Sequence, residues 1–281
     1  MERIGFIGLG TMGGPVALRL LRCGYPMTVN DLEKESMEPL VREGAMAAST
    51  AREVAQASDI VITSLHADAV EKVALGGEGI LQGARRGLAF VDLSSTSPEL
   101  AKKVSVALRR EGVEMLDAPV SGSSAGAKSG RLTLFVGGNY ETYRRCLPAL
   151  SVIGSTVTYL GEQGNGQIAK QINQLMLSLN QLAIYEGMRL AKKMKLNLKM
   201  FARAVSAGCA QSWWLDDLID RVLIQGEGEY RIRAYPGGAA DALRAANAMA
   251  LDLPGAEAAQ RVFSDLGWKI LIDFSDREGS S

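Results

Sequence analysis

Short apolar runs recur between residues 4 and 161 at the spacing of alternating strands and helices. They are IGFIG (4–8), MTVN (27–30), DIVITSL (59–65), LAFVDLS (88–94) and VEMLDAPV (113–120), with helix-compatible stretches between them. Runs rich in β-branched residues that alternate with helices point to parallel strands, because a parallel neighbour is reached only through a right-handed crossover. RLTLFVGG (131–138) and STVTYLG (155–161) add two strand candidates on either side of the helical NYETYRRCLPAL. The pattern predicts an α/β domain over 1–163 built on a doubly wound parallel sheet.

After GEQGNG the texture changes. Ile168, Ile172, Leu175, Leu179 and Leu182 step by four and three residues, the period of an amphipathic helix, and the pattern runs on to Lys193. The stretches 198–207, 212–223, 238–249 and 255–266 also read as helix, and no strand is read among them. Residues 164–281 are therefore expected to form an all-helical C-terminal domain joined by one long interdomain helix. The loop 226–238 is its least regular segment, and the DREGSS end is expected to fray.

Composition removes several classes of function. Lys+Arg and Asp+Glu both number 31, so the basic footprint of a nucleic-acid binder or of an anionic-lipid anchor is missing. No apolar run reaches the roughly 20 residues of a membrane span. The opening MERIGFIG enters a strand pattern without a cationic segment and cleavage site, which reads as a cytoplasmic chain. Cys23, Cys146 and Cys209 are odd in number and far apart, as suits reduced thiols in the core. The single histidine, His66, excludes a His-ligated metal cluster and suggests that another side chain moves any proton.

Gly8, Leu9, Gly10, Thr11, Met12 and Gly13 form a G-x-G-x-x-G between the first strand and a helix. Its glycines permit a tight turn, bring the backbone close to a pyrophosphate and let the helix pack closely, while the helix N-terminus offers N–H donors. Pro15 is tolerated near the helix start, and Gly24 suits its end. Asn30 and Asp31 end the second strand about 20 residues downstream, where a carboxylate binds the adenosine ribose. Asp31 without an adjacent arginine favours NAD, while Asn30 and Lys34 leave NADP open.

Three further segments, DLSSTSP (92–98), DAPVSGSSAGAKSGRLTLFVGG (117–138) and GEQGNGQIAKQINQ (161–174), make the pattern specific. Together with GFIGLGTMG they resemble the 3-hydroxyacid dehydrogenase family, which includes 3-hydroxyisobutyrate dehydrogenase, tartronate semialdehyde reductase and glyoxylate/succinic semialdehyde reductases. The resemblance is strong to about residue 220 and fainter beyond. It implies a Rossmann domain, hydride exchange between a small 3-hydroxy acid and its semialdehyde, a carboxylate substrate, and a homodimer or homotetramer formed through the helical domain.

Within DAPVSG, Ser121 and the N–H groups of Gly122 and Ser123 can form an anion pocket, or the segment can be a turn that simply needs small residues. The resemblance assigns Ser121 to substrate, although the family usually has glycine where this chain has Ser123. Lys170 and Asn173 stand at i and i+3, with Gln174 at i+4, on one helix face. A helical lysine is ordinarily solvated; the resemblance instead makes Lys170 the acid/base and Asn173 its hydrogen-bonding partner. Burial beside a cationic nicotinamide would lower the Lys170 pKa toward the working range.

Leu65 and His66 end a strand where backbone lines the nicotinamide half of the site, and His66 replaces a usual proline. Ser94 and Ser95 are expected near the nicotinamide ribose or ring, whereas Ser97-Pro98 reads as an N-cap and N1 pair. The family's Lys-Asp pair facing the cofactor has its nearest match in Ala240-Asp241, so the lysine is lost; Arg231, Arg233 and Arg244 are candidates to compensate. Trp213 and Trp214 suit either packing or a substrate wall. Two neighbouring chemistries fit less well. The 6-phosphogluconate dehydrogenases place a glutamate where this chain has Leu177, and imine reductases of similar fold usually carry Asp or Tyr in place of Lys170. A non-catalytic dinucleotide-binding protein of the same fold is the rival from another class.

Overall fold

A computed structural model of the protein describes residues 1–233, 236–267 and 269–274. The chain divides into two compact units, Met1–Lys170 and a second beginning at Gln171. In the first, β1 (Ile4–Ile7), β2 (Met27–Asn30), β3 (Met46–Ala47), β4 (Ile60–Thr63), β5 (Ala89–Asp92) and β6 (Glu114–Asp117) lie in the order β3-β2-β1-β4-β5-β6, every pair parallel. This is the doubly wound order whose direction reverses between β1 and β4. The short β7 (Val120–Ser121) and β8 (Leu132–Gly138) then turn antiparallel, and β9 (Gly154–Tyr159) pairs parallel to β8.

Alternation along each strand explains why the sheet is covered on both faces. Phe6, Ile60, Ile62 and Val91 join Val16, Leu20 and Leu150 in one core, while Ile7, Val61 and Phe90 join Val54, Val104 and Leu108 in another. A strand buried on both sides reads as a continuous apolar run, which is the signal in β1, β4 and β5. Ser97 caps the helix Pro98–Arg110 by accepting from the Leu100 N–H at 3.1 Å, as its position before proline suggests.

The helix Asn165–Lys193 is followed in the second unit by helices Leu198–Ser206, Trp213–Ile219, Pro236–Ala248 and Pro254–Leu266, with a π turn at Asp220–Ile224. Leu182, Tyr185, Leu218, Tyr230 and Phe263 centre its core. The expectation of helix alone needs correction. Strands β10 (Glu229–Arg233) and β11 (Lys269–Asp273) pair antiparallel, with Tyr230, Ile232, Ile270 and Ile272 buried in that core. The apolar stripe of the long helix is also only partly internal: Leu182 is buried, whereas Ile168 and Ile172 are exposed.

All three cysteines are free thiols, but only Cys146 lies in the core. Cys23 follows the helix Gly13–Arg22 as its C-cap and Cys209 sits in a turn, so the expectation of three core thiols fails for both. The DREGSS end, residues 234–235 of the loop and the Arg233 side chain lie outside what is described. Among the described residues no helix is long and apolar enough to cross a membrane.

Candidate active site

The three glycines of the first loop have different physical reasons. At Gly8, with φ +90°, a Cβ would stand 2.3 Å from the Ser64 carbonyl; at Gly13 it would stand 1.9 Å from the Gly8 carbonyl. Both positions are closed by the protein's own backbone. A Cβ at Gly10 meets nothing within 4 Å, so the open side of the loop faces room that a ligand can use. The N–H groups of Gly10, Thr11 and Met12 make no hydrogen bond to a described residue. The helix Gly13–Arg22 has neither a capping side chain nor an acidic residue in its first turn, which leaves its partial positive charge unopposed. A pyrophosphate fits this donor set.

Asp31 reaches back into the loop. One carboxylate oxygen accepts from the Leu9 N–H at 2.5 Å and the other from the Glu33 N–H at 2.8 Å. The carboxylate therefore fixes the loop, and its remaining lone pairs can still take a ribose hydroxyl. Asn30 is engaged differently: its Nδ2 donates to the Ala48 carbonyl at 2.9 Å and ties β2 to the segment after β3.

Beyond the switch between β1 and β4, the Leu65 N–H donates to the Ser94 hydroxyl at 2.9 Å. Ser94 is buried and bridges the ends of β4 and β5, whereas Ser95 beside it is exposed. His66 is exposed at the N-cap of the helix Ala67–Leu75 and makes no capping bond with its side chain.

Two buried aspartates end adjacent strands. Asp92 and Asp117 are register partners of β5 and β6, and both are fully buried. Asp92 accepts from the Thr63 hydroxyl at 2.8 Å and the Ser94 N–H at 3.0 Å, yet burial pushes its carboxyl up to about 6. Asp117 accepts from the Gly164 N–H at 2.7 Å, the Gln167 N–H at 2.9 Å and the Gln163 side chain at 3.0 Å. Burial still raises it above the usual carboxylate range. Its position closes the N-terminus of the helix Asn165–Lys193 and supplies the charge that such an end favours.

One turn further along, Lys170 is 8% exposed, and its side chain forms no hydrogen bond or ion pair with a described residue. Burial alone pushes its ammonium down to about 8, where both protonation states are accessible near neutral pH. Asn173 and Gln174, on the same helix, are half-buried.

Ser121 ends β7 opposite Thr133 of β8 and is half-buried. Gly122 follows at φ +139°, and Ser123 caps the helix Ser124–Ser129 by accepting from the Gly126 N–H at 3.2 Å. The Ser124 hydroxyl donates to the Thr11 carbonyl at 3.4 Å, which brings this small-residue segment to the glycine loop. In the second unit Asp241 is paired with Arg244 one turn away, and Arg231 pairs with Glu229 at 3.8 Å. Trp213 is half exposed and stands edge-on to Trp214, which packs on the core of that unit.

Asp92, Asp117 and Gln167 were not among the residues singled out from the sequence. Their signal was faint: an acidic residue ending two successive apolar strands, and a glutamine inside the glycine-rich helix entry.

Comparison with known proteins bears on this arrangement. A family model described as the NAD binding domain of 6-phosphogluconate dehydrogenase matches residues 3–161. Another, described as NAD-binding of NADP-dependent 3-hydroxyisobutyrate dehydrogenase, matches residues 164–270. The chain is 34% identical over 267 residues to the 2-hydroxy-3-oxopropionate reductase of Escherichia coli K12, covering 93% of this chain and 90% of that protein. It is 37% identical over 217 residues to the NAD-dependent L-serine dehydrogenase of Pseudomonas aeruginosa, covering 77% and 73%. The structure of Mycobacterium tuberculosis 3-hydroxyisobutyrate dehydrogenase with L-serine superposes with a TM-score of 0.84 at 26% identity, over 95% of this chain and 94% of that one.

Proposed function

The chain belongs to the 3-hydroxyacid dehydrogenase family and is an NAD(P)-dependent oxidoreductase, and we propose that it interconverts a small 3-hydroxy acid and its semialdehyde with Lys170 as acid/base. The observation that carries this reading is the state of Lys170: a buried side chain without a hydrogen bond or ion pair to a described residue, its ammonium pushed down to about 8 by that burial. A lysine kept for structure is ordinarily solvated or paired, because an unpaired buried ammonium is costly. A lysine kept for proton transfer gains from a pKa near the working pH.

In this reading residues 1–163 bind the cofactor, and residues 164–281 shape the substrate site and the subunit contacts of a homodimer or homotetramer. The loop Gly8, Leu9, Gly10, Thr11, Met12 and Gly13 holds the pyrophosphate, and Asn30 and Asp31 face the adenosine ribose, with the Asp31 carboxylate preferring NAD. Leu65, His66 and Ser95 line the nicotinamide end, and Asp241 is assigned to the cofactor as well. The bound nicotinamide supplies the hydride acceptor in oxidation and the hydride donor in reduction. Ser121 and the amides of Gly122 and Ser123 grip the substrate carboxylate. Lys170 takes the hydroxyl proton during oxidation; as ammonium it polarises the carbonyl and returns the proton during reduction. Asn173 and Gln174 orient the lysine or the substrate from the same helix face.

The test is Lys170→Ala, assayed by nicotinamide absorbance with L-serine, 3-hydroxyisobutyrate and 2-hydroxy-3-oxopropionate, each with NAD and NADP. Turnover should fall about 100-fold or more while dinucleotide affinity stays nearly unchanged. Near-normal turnover in the variant would overturn the assignment. Tight dinucleotide binding by the wild type without turnover of any of these compounds would favour a binding protein instead.

A further inference from the structure

We propose that Gln167 is a positioning residue for Lys170: its buried amide fixes the rotation of the long helix at the turn that carries the lysine. This rests on the reading of Lys170 as the acid/base. Gln167 is 0% exposed, its Nε2 donating to the Ser94 carbonyl at 2.8 Å and its Oε1 accepting from the Thr96 N–H at 3.0 Å. Both partners lie in the loop after β5, so the amide has one admissible orientation. Turning it over would set carbonyl against carbonyl and N–H against N–H.

The backbone of the same turn is held from a second direction, because Asp117 at the end of β6 accepts from the Gly164 and Gln167 N–H groups. Gly166 allows the close seating. A Cβ there would lie 2.4 Å from the Phe135 carbonyl and 2.5 Å from the Asp117 carbonyl. The helix start is thereby tied to β5 through a side chain and to β6 through its backbone.

Lys170 stands at i+3 from Gln167 and shares its face of the helix. With no hydrogen bond or ion pair to a described residue, the flexible side chain is placed by the backbone beneath it and by the packing around it. Its lowered pKa has burial as the sole cause, so a turn free to rotate or to admit water should let the ammonium recover its ordinary stability. An anchor that served only the fold would affect unfolding and leave the lysine's titration where it was.

The experiment replaces Gln167 by Met, which keeps the volume and removes both hydrogen bonds, in the full-length protein with NAD+ bound. Competitive acetylation with acetic anhydride, read by mass spectrometry at Lys170 across pH, gives the lysine's midpoint without requiring turnover. The Lys170 midpoint of Gln167→Met should lie about one pH unit or more above that of the wild type measured alongside it. With 3-hydroxyisobutyrate or L-serine, kcat should fall about tenfold while KM for NAD+ stays within about twofold. Gln167→Asn keeps the amide on a shorter stem and should move the midpoint less, in the same direction; it supplies the measurement if the Met variant does not fold. An unmoved midpoint in the folded variant overturns the positioning role and leaves the acid/base reading intact. Retained turnover in Lys170→Ala overturns the acid/base reading instead, whatever Gln167 does.

Discussion

Lys170 concentrates the chemistry and a cost in stability in one side chain. With a folded pKa of about 8 against an ordinary 10.5, the lysine is neutral over a range in which an exposed one is charged. Oxidation needs the neutral amine as base, so its rate should rise with pH through about 8. Reduction needs the ammonium and should fall over the same interval; initial rates in both directions across pH check the pair. The linkage sign follows from the same shift. Between about 8 and 10.5 the unfolded chain binds more protons at this position than the folded one, so Lys170 makes stability rise with pH there. Below about 8 the fold carries a desolvated ammonium. Lys170→Met should therefore raise the urea midpoint at pH 7, with a gain that shrinks as pH climbs past 8. A variant that is less stable than the wild type at pH 7 would show that the ammonium has a stabilising partner.

At the scale of the element, the glycine loop separates what the fold needs from what the ligand needs. Gly13→Ala places a methyl 1.9 Å from the Gly8 carbonyl and should cost about 2 kcal/mol or more in urea unfolding. Gly10→Ala meets no protein atom within 4 Å and should leave stability within about 0.5 kcal/mol. It should nonetheless weaken NAD binding about tenfold, roughly 1.4 kcal/mol by calorimetry, because the methyl enters the space the pyrophosphate would use. Equal affinity in that variant would move the pyrophosphate off the loop.

This loop and β1 to β6 were legible in the sequence because strand burial, turn geometry and helix packing leave a local pattern of apolar runs and glycines. Other features left little trace. β3 is two exposed residues held by β2, with no pattern of its own. In β10 and β11 the alternation was present, as EYRIR and KILID, but the two strands are separated by two helices and pair only through tertiary contact. Gln167 was illegible for a related reason. Its partners Ser94 and Thr96 lie about 70 residues away in sequence, and a buried amide that reads two backbone groups looks like any polar helix residue until the strands are assembled.

For the molecule as a whole, the distribution of exposed apolar side chains differs between the two units. Met1–Lys170 exposes seven large hydrophobics, and the shorter stretch from Gln171 exposes twelve among the described residues. Three of these, Ile172, Met176 and Leu190, lie along the long helix, and Met194 directly follows its end. Met176 follows Ile172 at i+4, and Leu190 follows Ile172 by about five turns at roughly 3.6 residues per turn, so these three share one side. Scattered exposed hydrophobics need no explanation, but a row along one helix face is what a protein–protein contact buries. The net charge of zero offers no long-range repulsion against such a contact. We therefore expect the 30.0 kDa chain to sediment as a dimer or larger species at micromolar concentration, as the family resemblance also implies. Paired Met176→Glu and Leu190→Glu substitutions should shift it toward monomer, since each places a carboxylate in a face that must lose water to associate. Sedimentation velocity of the wild type and the double variant decides the matter. A monomeric wild type overturns the expectation, and an oligomer untouched by the two glutamates places the contact on another face.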